Sequence, residues 1–214
     1  MKTYSMNQLE RYPIYLKYFK ELKEAGVEII SSPKIAAKLG YSEEQVRKDL
    51  QNVSLEPGRP KKGRMVDQLI DDLETFLGYR EHTSAVLIGS GHLGGALLNF
   101  SAFTEMGLDI VAGFDIVPEK IGKEFGGKKV LPVESLSDFI RDNGVYLVVL
   151  TVPSYVAQEV AEKAIASGAK AIWNFAPIHL EVPDDVVVEN VNLASSLAIL
   201  THRLSLTLAK GRRK

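Results

Sequence analysis

One stretch constrains the fold more than any other. Residues 84–88 are a short apolar run with β-branched members, and Gly89-Ser90-Gly91-His92-Leu93-Gly94 follows without a gap. A G-x-G-x-x-G pattern by itself is common and says little. Here a helix-like stretch over residues 96–106 comes next, and a second apolar run over 110–114 ends in Asp115. Strand, glycine turn, helix and a strand closing on an acid is the order of a dinucleotide-binding βαβ unit. Gly89 permits the tight turn, Gly91 lets the backbone approach a pyrophosphate, and Gly94 allows close helix–strand packing. The helix N-terminus offers free N–H groups and the positive end of its dipole to the phosphates. Asp115 is placed to accept hydrogen bonds from the adenosine ribose. Its charge repels a 2′-phosphate, and Ile116-Val117-Pro118 brings no adjacent Arg, so the pattern favours NAD(H) over NADP(H).

The β/α alternation continues. Short strands are expected at 129–131, 145–151, 171–173 and 186–188, with helices over 135–142 and 154–167 between them. This order specifies a Rossmann-type parallel sheet with right-handed crossovers. Ligands of such sheets sit beyond the carboxyl ends of the strands. Thr151-Val152-Pro153 and Asn174-Phe175-Ala176-Pro177 occupy those ends, which places them around the nicotinamide half of the ligand. Ordinary turn chemistry at strand ends is the alternative for both segments.

The N-terminal third reads as short helices. Leu9, Tyr12, Leu16, Phe19 and Leu22 follow helical spacing, and Gly26 closes that segment. Ser32 is the expected N-cap of a second helix, with Pro33 in its first turn and Gly40 at its end. Ser42-Glu43-Glu44-Gln45 has the capping-box pattern and opens a third helix reaching about Val53. Two short helices joined at Gly40-Tyr41 have the dimensions of a helix-turn-helix, whose second helix enters the DNA major groove. Its exposed face would offer Gln45, Arg47 and Lys48. The loop Pro57-Gly58-Arg59-Pro60-Lys61-Lys62-Gly63-Arg64 follows, too rich in Pro and Gly for a regular helix and too basic to bury. Arg59, Lys61, Lys62 and Arg64 suit phosphate neutralisation or insertion into a narrow minor groove, and the Gly-Arg-Pro core resembles an AT-hook. A solvated linker between domains is the alternative. A fourth helix over 66–77, ended by Gly78, closes this unit.

Charge sharpens the division. The chain carries 26 Lys+Arg against 27 Asp+Glu. Residues 45–64 alone hold six cations and two anions, so a near-neutral protein has one compact basic window. Cysteine is absent, which excludes a disulfide framework, a thiol nucleophile and a thiolate metal site. The four histidines are scattered, and no metal constellation is expected. No apolar run reaches the roughly 18 to 20 residues of a membrane span, and the polar N-terminus does not read as a signal peptide, so a soluble, cytoplasmic protein is expected. A dehydrogenase needs a substrate pocket with a placed acid or base, usually built by a second domain. Outside the sheet there is only the basic helical module and one apolar helix over 193–209, so no enzyme is expected. That last helix repeats Leu193, Leu197, Leu200, Leu204 and Leu208, and serves either as the final domain helix or as a dimerisation element. The basic residues after it read as a solvated tail.

Several motifs then fall into one order. They are Val46-Arg47-Lys48-Asp49-Leu50, the glycine turn, Phe114-Asp115, Lys120-Ile121-Gly122, Thr151-Val152-Pro153, Asn174-Phe175-Ala176-Pro177 and Glu189-Asn190-Val191-Asn192-Leu193. This order resembles the Rex redox-sensing transcriptional repressors over nearly the whole chain. The resemblance implies an N-terminal winged-helix DNA-binding domain (1–80), a Rossmann NAD(H)-binding domain (81–192), and a C-terminal helix with a basic tail (193–214) exchanged between protomers of a homodimer. It further implies a palindromic operator in double-stranded DNA, released when NADH occupies the nucleotide site, with NAD+ as the weaker competitor. The residues assigned to the dinucleotide are 89–94, Asp115, Ile116, Lys120, 151–153 and 174–177.

Three departures from the family pattern stand out. The wing lacks the aromatic residue usual there. Phe100 stands where the family commonly has Tyr, and Asn192 where it commonly has Asp. In typical members that Tyr and Asp join an N-terminal Arg, matched here by Arg11, in a network that senses the nicotinamide redox state. Hydride transfer to NAD+ changes the nicotinamide charge by one unit, and a nearby Asp is a direct way to feel it. Neutral Asn192 puts redox discrimination in question rather than nucleotide binding. Three readings remain open at this point: a Rex-like regulator, with or without full redox discrimination; a small NAD-dependent oxidoreductase; and a protein whose sheet holds another adenine ligand such as CoA.

Overall fold

The computed structural model describes residues 4–54 and 63–211. The chain divides into two compact units, residues 1–81 and 82–214.

In the first unit, α1 (Met6–Glu24) presents Tyr12, Tyr15, Leu16 and Phe19 to a core that they share with Ile35, Val46, Leu50, Leu69 and Leu73. Helix α2 (Ser32–Leu39) has Ser31 rather than Ser32 at its N-cap position, with no side-chain bond to the helix, Ser32 being already helical, and Gly40 at φ +72° ends it. Only glycine adopts that left-handed conformation without strain, which is why the turn into α3 (Glu43–Val53) falls there. The Gln45 N–H donates to the Ser42 hydroxyl, as the capping-box pattern predicts. Strands β1 (Ile29–Ile30) and β2 (Arg64–Met65) pair antiparallel and form the base of the wing, and α4 (Val66–Phe76) returns along α1. Gly63 is obligatory at this base: a Cβ on it would stand 2.7 Å from the Ile30 carbonyl oxygen. Arg59, Lys61 and Lys62 lie outside the described residues.

In the second unit, seven strands lie in the order β5-β6-β4-β3-β7-β8-β9. They are β3 (Thr83–Ile88), β4 (Leu108–Asp115), β5 (Glu124–Phe125), β6 (Lys128–Pro132), β7 (Leu147–Leu150), β8 (Ala171–Asn174) and β9 (Val187–Asn190). All neighbours are parallel except β5 and β6, a hairpin turned at Gly126-Gly127 that places an antiparallel strand on the edge. The single helix expected over 96–106 is two: α5 (His92–Leu98) and α6 (Ala102–Glu105). The Asn99 side-chain amide and backbone N–H both donate to the Gly95 carbonyl, and the next amide, Phe100, turns back to Leu97 instead of continuing the helical ladder. Helices α7 (Leu136–Asp142) and α8 (Ser154–Ala166) supply the crossovers, Leu136 and Ile140 of α7 packing with Ala157, Ala161 and Ala164 of α8 against Val148, Leu150 and Ile172 of the sheet. Helix α9 (Leu193–Gly211) is exposed along residues 193–210, with Leu193, Leu197, Leu200, Leu204 and Leu208 all more than half exposed.

Candidate functional site

Strands β3, β4, β7 and β8 end at one edge, and the sequence-assigned nucleotide residues gather on those ends. Gly89 adopts φ +97°, and a Cβ there would meet the Thr151 carbonyl oxygen at 2.8 Å. Thr151 ties the two strand ends together: its hydroxyl donates to the Gly89 and Ile88 carbonyls at 2.7 and 3.1 Å. A Cβ on Gly94 would stand 2.0 Å from the Gly89 carbonyl oxygen, so α5 seats on β3 only because residue 94 has no side chain. Gly91 differs. It caps α5 from an extended conformation, is exposed, and its Cβ would meet no atom within 4 Å. The space in front of it is open, as a backbone approached by a phosphate requires.

Asp115, 6% exposed at the end of β4, faces this turn. Its Oδ2 accepts three bonds: from the Ser90 amide at 2.8 Å, the Ser90 hydroxyl at 2.7 Å and the Lys120 ammonium at 3.0 Å. Oδ1 accepts one, from the Val117 amide at 3.0 Å, leaving it capacity for a further donor such as a ribose hydroxyl. Burial pushes the carboxyl up, but the Ser90 hydroxyl, the Val117 amide and Lys120 outweigh it and hold Asp115 below the usual carboxylate range. The side chain is therefore an anion at neutral pH. The adjacent cation that the sequence lacks next to Asp115 comes instead from Lys120, five residues on. Ile116, the next residue, is 74% exposed and presents an apolar side chain beside it.

Asn174 plays a different part. Fully buried, it accepts from the Ala176 amide at 2.9 Å and donates to the Ile178 carbonyl at 3.0 Å and to Asn190 Oδ1 at 2.8 Å. These bonds brace the turn that carries Phe175, Ala176 and Pro177. Phe175 opens a chain of edge-to-face and tilted rings through Trp173 and Phe103 to the half-exposed Phe100. Nothing in the spacing of these residues reveals the chain, because the rings come from α6, β8, the turn after β8 and the segment between α5 and α6.

In the first unit, Arg47 and Lys48 are exposed on α3, whereas Gln45 is only half-exposed. Arg64 is half-buried in β2, and burial draws its pKa down. Arg11 is committed within its own unit, forming a two-bond ion pair with Asp49 of α3. Asp49 is a residue the sequence reading did not single out. Asn192 caps α9, its side-chain oxygen accepting from the Ser195 amide at 2.9 Å. An Asp does the same work at a helix N-terminus, so the neutral replacement keeps the cap and loses only the charge. Among the described residues no group of three or more His, Asp or Glu is arranged to hold a metal ion, and no helix is long and apolar enough to cross a membrane.

A winged helix joined to a Rossmann-type sheet, with an acid facing the glycine turn, defines the architecture of nucleotide-responsive transcription regulators. Comparison with known proteins narrows the class. Residues 80–178 match the family model described as CoA binding domain, and residues 5–51 match one described as putative DNA-binding protein N-terminus. The redox-sensing transcriptional repressor Rex of Bacteroides fragilis is 40% identical over 92% of this chain and 89% of its own. That of Caldicellulosiruptor bescii is 38% identical over 99% of this chain and 97% of its own. The crystal structure of the Rex-family repressor RSP with NAD+ and operator DNA superposes with a TM-score of 0.91 at 35% identity, covering 99% of this chain and 97% of that one. RSP in complex with NADH gives 0.88. The chain belongs to the Rex family of redox-sensing transcriptional repressors.

Proposed function

We propose that this protein is a DNA-binding transcriptional repressor that senses the NADH/NAD+ balance, NADH binding in the Rossmann domain releasing a winged-helix dimer from a palindromic operator. The observation that carries the nucleotide half is the Asp115 carboxylate, ionised, buried and aimed at the open glycine turn. Residues 1–80 act as the DNA-binding domain, 81–192 as the NAD(H)-binding domain and 193–214 as the dimerisation helix and tail. Gly89 to Gly94 and the α5 N-terminus hold the pyrophosphate. Asp115 and Lys120 meet the adenosine ribose, Ile116 the adenine, and 151–153 with 175–177 surround the nicotinamide, their turn braced by Asn174. Nicotinamide supplies a ring whose charge falls by one unit on reduction; the chain performs no chemistry on it. The protein is a cytoplasmic regulator rather than an enzyme.

In the first unit, Arg47 and Lys48 reach base edges, with Gln45 at the groove margin. Arg59, Lys61, Lys62 and Arg64 neutralise phosphate. The two-fold symmetry of a dimer would match a palindromic site. The exposed leucine stripe of α9 is the surface that a second protomer covers. RSP, a 35%-identical relative, has been crystallised with operator DNA and with both nucleotides, which supports the reading.

A second reading concerns the strength of discrimination. Phe100 lacks a phenol and Asn192 lacks a charge, while Arg11 is paired with Asp49. This combination favours a repressor whose response to NADH exceeds that to NAD+ by less than in members carrying Tyr and Asp. The test of nucleotide binding is NADH titration of wild type and Gly91→Val, followed by the change in nicotinamide fluorescence. The valine side chain enters open space, so the fold persists while the phosphates are displaced. Loss of NADH affinity with unchanged thermal unfolding supports the assignment, and unchanged affinity overturns it.

A further inference from the structure

The N-terminal unit contains a polar cluster whose reach goes beyond the DNA contacts assigned above. Asp49 lies on α3 directly after the exposed Arg47 and Lys48, and is itself 2% exposed. Arg11 of α1 grips it with two bonds, Nε to Oδ2 at 2.7 Å and Nη2 to Oδ1 at 2.9 Å. The Tyr15 hydroxyl donates to Oδ2 at 3.0 Å, and the Tyr12 hydroxyl to the Asp49 backbone carbonyl at 3.4 Å. Burial, reinforced by the Asp49 charge, pushes Tyr12 up to about 12 and Tyr15 higher still, so both hydroxyls keep their protons and act as donors. The Arg11 guanidinium also lies 6.0 Å from the centre of the Tyr41 ring, at the turn leading into α3.

Stability alone is a weak account of such a cluster. A buried ion pair often adds nothing over apolar residues of similar volume, and its best-attested use is to fix one arrangement among several. Apolar packing by Val46, Leu50 and Val53 is non-directional and tolerates small rotations of α3 about its axis. A planar guanidinium fork on a carboxylate does not. Three residues from two successive turns of α1, attached to one residue of α3, therefore set the roll of that helix. Roll decides where Arg47 and Lys48 point, because they precede Asp49 by two and one residues and stand on the face opposite the core.

We propose that the Arg11–Asp49 pair, backed by Tyr15, is a positioning device for α3 that governs discrimination between DNA sequences rather than general DNA affinity. The proposal rests on the reading of α3 as the recognition helix. Its consequence is a split between two affinities. A base contact of the bidentate kind discriminates by roughly tenfold or more, and misdirecting it removes that factor. Phosphate contacts tolerate small displacements and follow the count of cations, which the variants below leave unchanged on the DNA-facing surface.

The experiment uses the full-length protein and two duplexes: one enriched by the wild type from a randomised library, and poly(dI-dC). Asp49→Asn, Arg11→Lys and Tyr15→Phe are compared with wild type on both. The expected result for Asp49→Asn is about a tenfold loss on the enriched duplex with affinity for poly(dI-dC) within about twofold of wild type. Arg11→Lys keeps the charge but not the fork and loses discrimination in the same way. Tyr15→Phe preserves the ion pair, and a smaller fall in the same ratio is expected; it decides the matter if Asp49→Asn does not fold. An unchanged ratio in folded variants, with only a lower thermal midpoint, makes the cluster purely structural and overturns the proposal. Equal losses on both duplexes overturn it as well. Failure of the wild type to enrich any sequence is a distinct outcome, and it overturns the recognition-helix reading together with the proposal.

Discussion

Asp49 in the first unit and Asp115 in the second are both buried among strong donors, and the two are set up differently. Asp49 has both carboxylate oxygens held by Arg11, with Tyr15 on one of them as well. Its partners come from another helix, so the group links α1 to α3. Asp115 concentrates three donors on Oδ2, two of them from Ser90 on the glycine turn, and leaves Oδ1 with the Val117 amide. The cation also differs. Arg11 presents a planar fork that matches a carboxylate in shape, while Lys120 is a point charge on a flexible stem, 30% exposed. Each leaves one carboxylate oxygen with a single donor, but Asp49 takes its donors from another helix and so positions the protein, whereas Asp115 takes them from the glycine turn and the residues just after its own strand, where a ligand can approach. Burial and charge alone do not separate the two roles; the placement of the donors does.

The comparison can be broken at several points. Asp49→Ala leaves the mostly buried Arg11 guanidinium without its carboxylate, only the Asn7 carbonyl remaining, and costs the N-terminal unit about 3 kcal/mol, read by chemical denaturation, with NADH affinity unaltered. A loss below about 1 kcal/mol would mean that the pair is dispensable to the helix arrangement. Asp115→Ala removes an ionised acceptor from the ribose and weakens NADH binding about thirtyfold, or about 2 kcal/mol, while DNA binding without nucleotide is retained. Comparable losses in both would show that Asp115 supports the fold as a whole. The smallest effect is on acid stability. Asp115 titrates below its ordinary 3.8 in the folded state, so its bonds contribute fully above that pH and are lost as pH falls through the folded value. Asp115→Asn therefore flattens the fall in thermal midpoint between about pH 5 and about pH 3, relative to wild type. An unchanged slope would show that the group is not ionised by its shell.

The local rules of each element carried much of this architecture into the sequence. The order strand, glycine turn, helix, strand and acid located β3, α5, β4 and Asp115 because each step has its own steric signature. Helix ends were legible where glycine or a capping serine marks them, as at Gly40 and Ser42. What stayed hidden depends on approaches between distant segments. The break between α5 and α6 falls where the Phe100 amide turns back to Leu97, and the antiparallel β5–β6 hairpin left no reading in the β/α alternation. Lys120 was visible as a residue of a motif, but its contact with Asp115 arises from the turn between them. Asp49 was visible only as one letter of a motif, since its partner lies 38 residues away on another helix. Arg11 was attached by resemblance to Phe100 and Asn192, and its ion pair with Asp49 comes from the winged-helix packing instead.

The central claim, that one chain reads nucleotide redox state and reports it through DNA, is tested most directly by titrating a preformed complex of protein and enriched duplex with NADH and with NAD+ separately. The account predicts that NADH releases the duplex at a lower concentration than NAD+ does. Equal release by the two nucleotides, or release by neither, would contradict it.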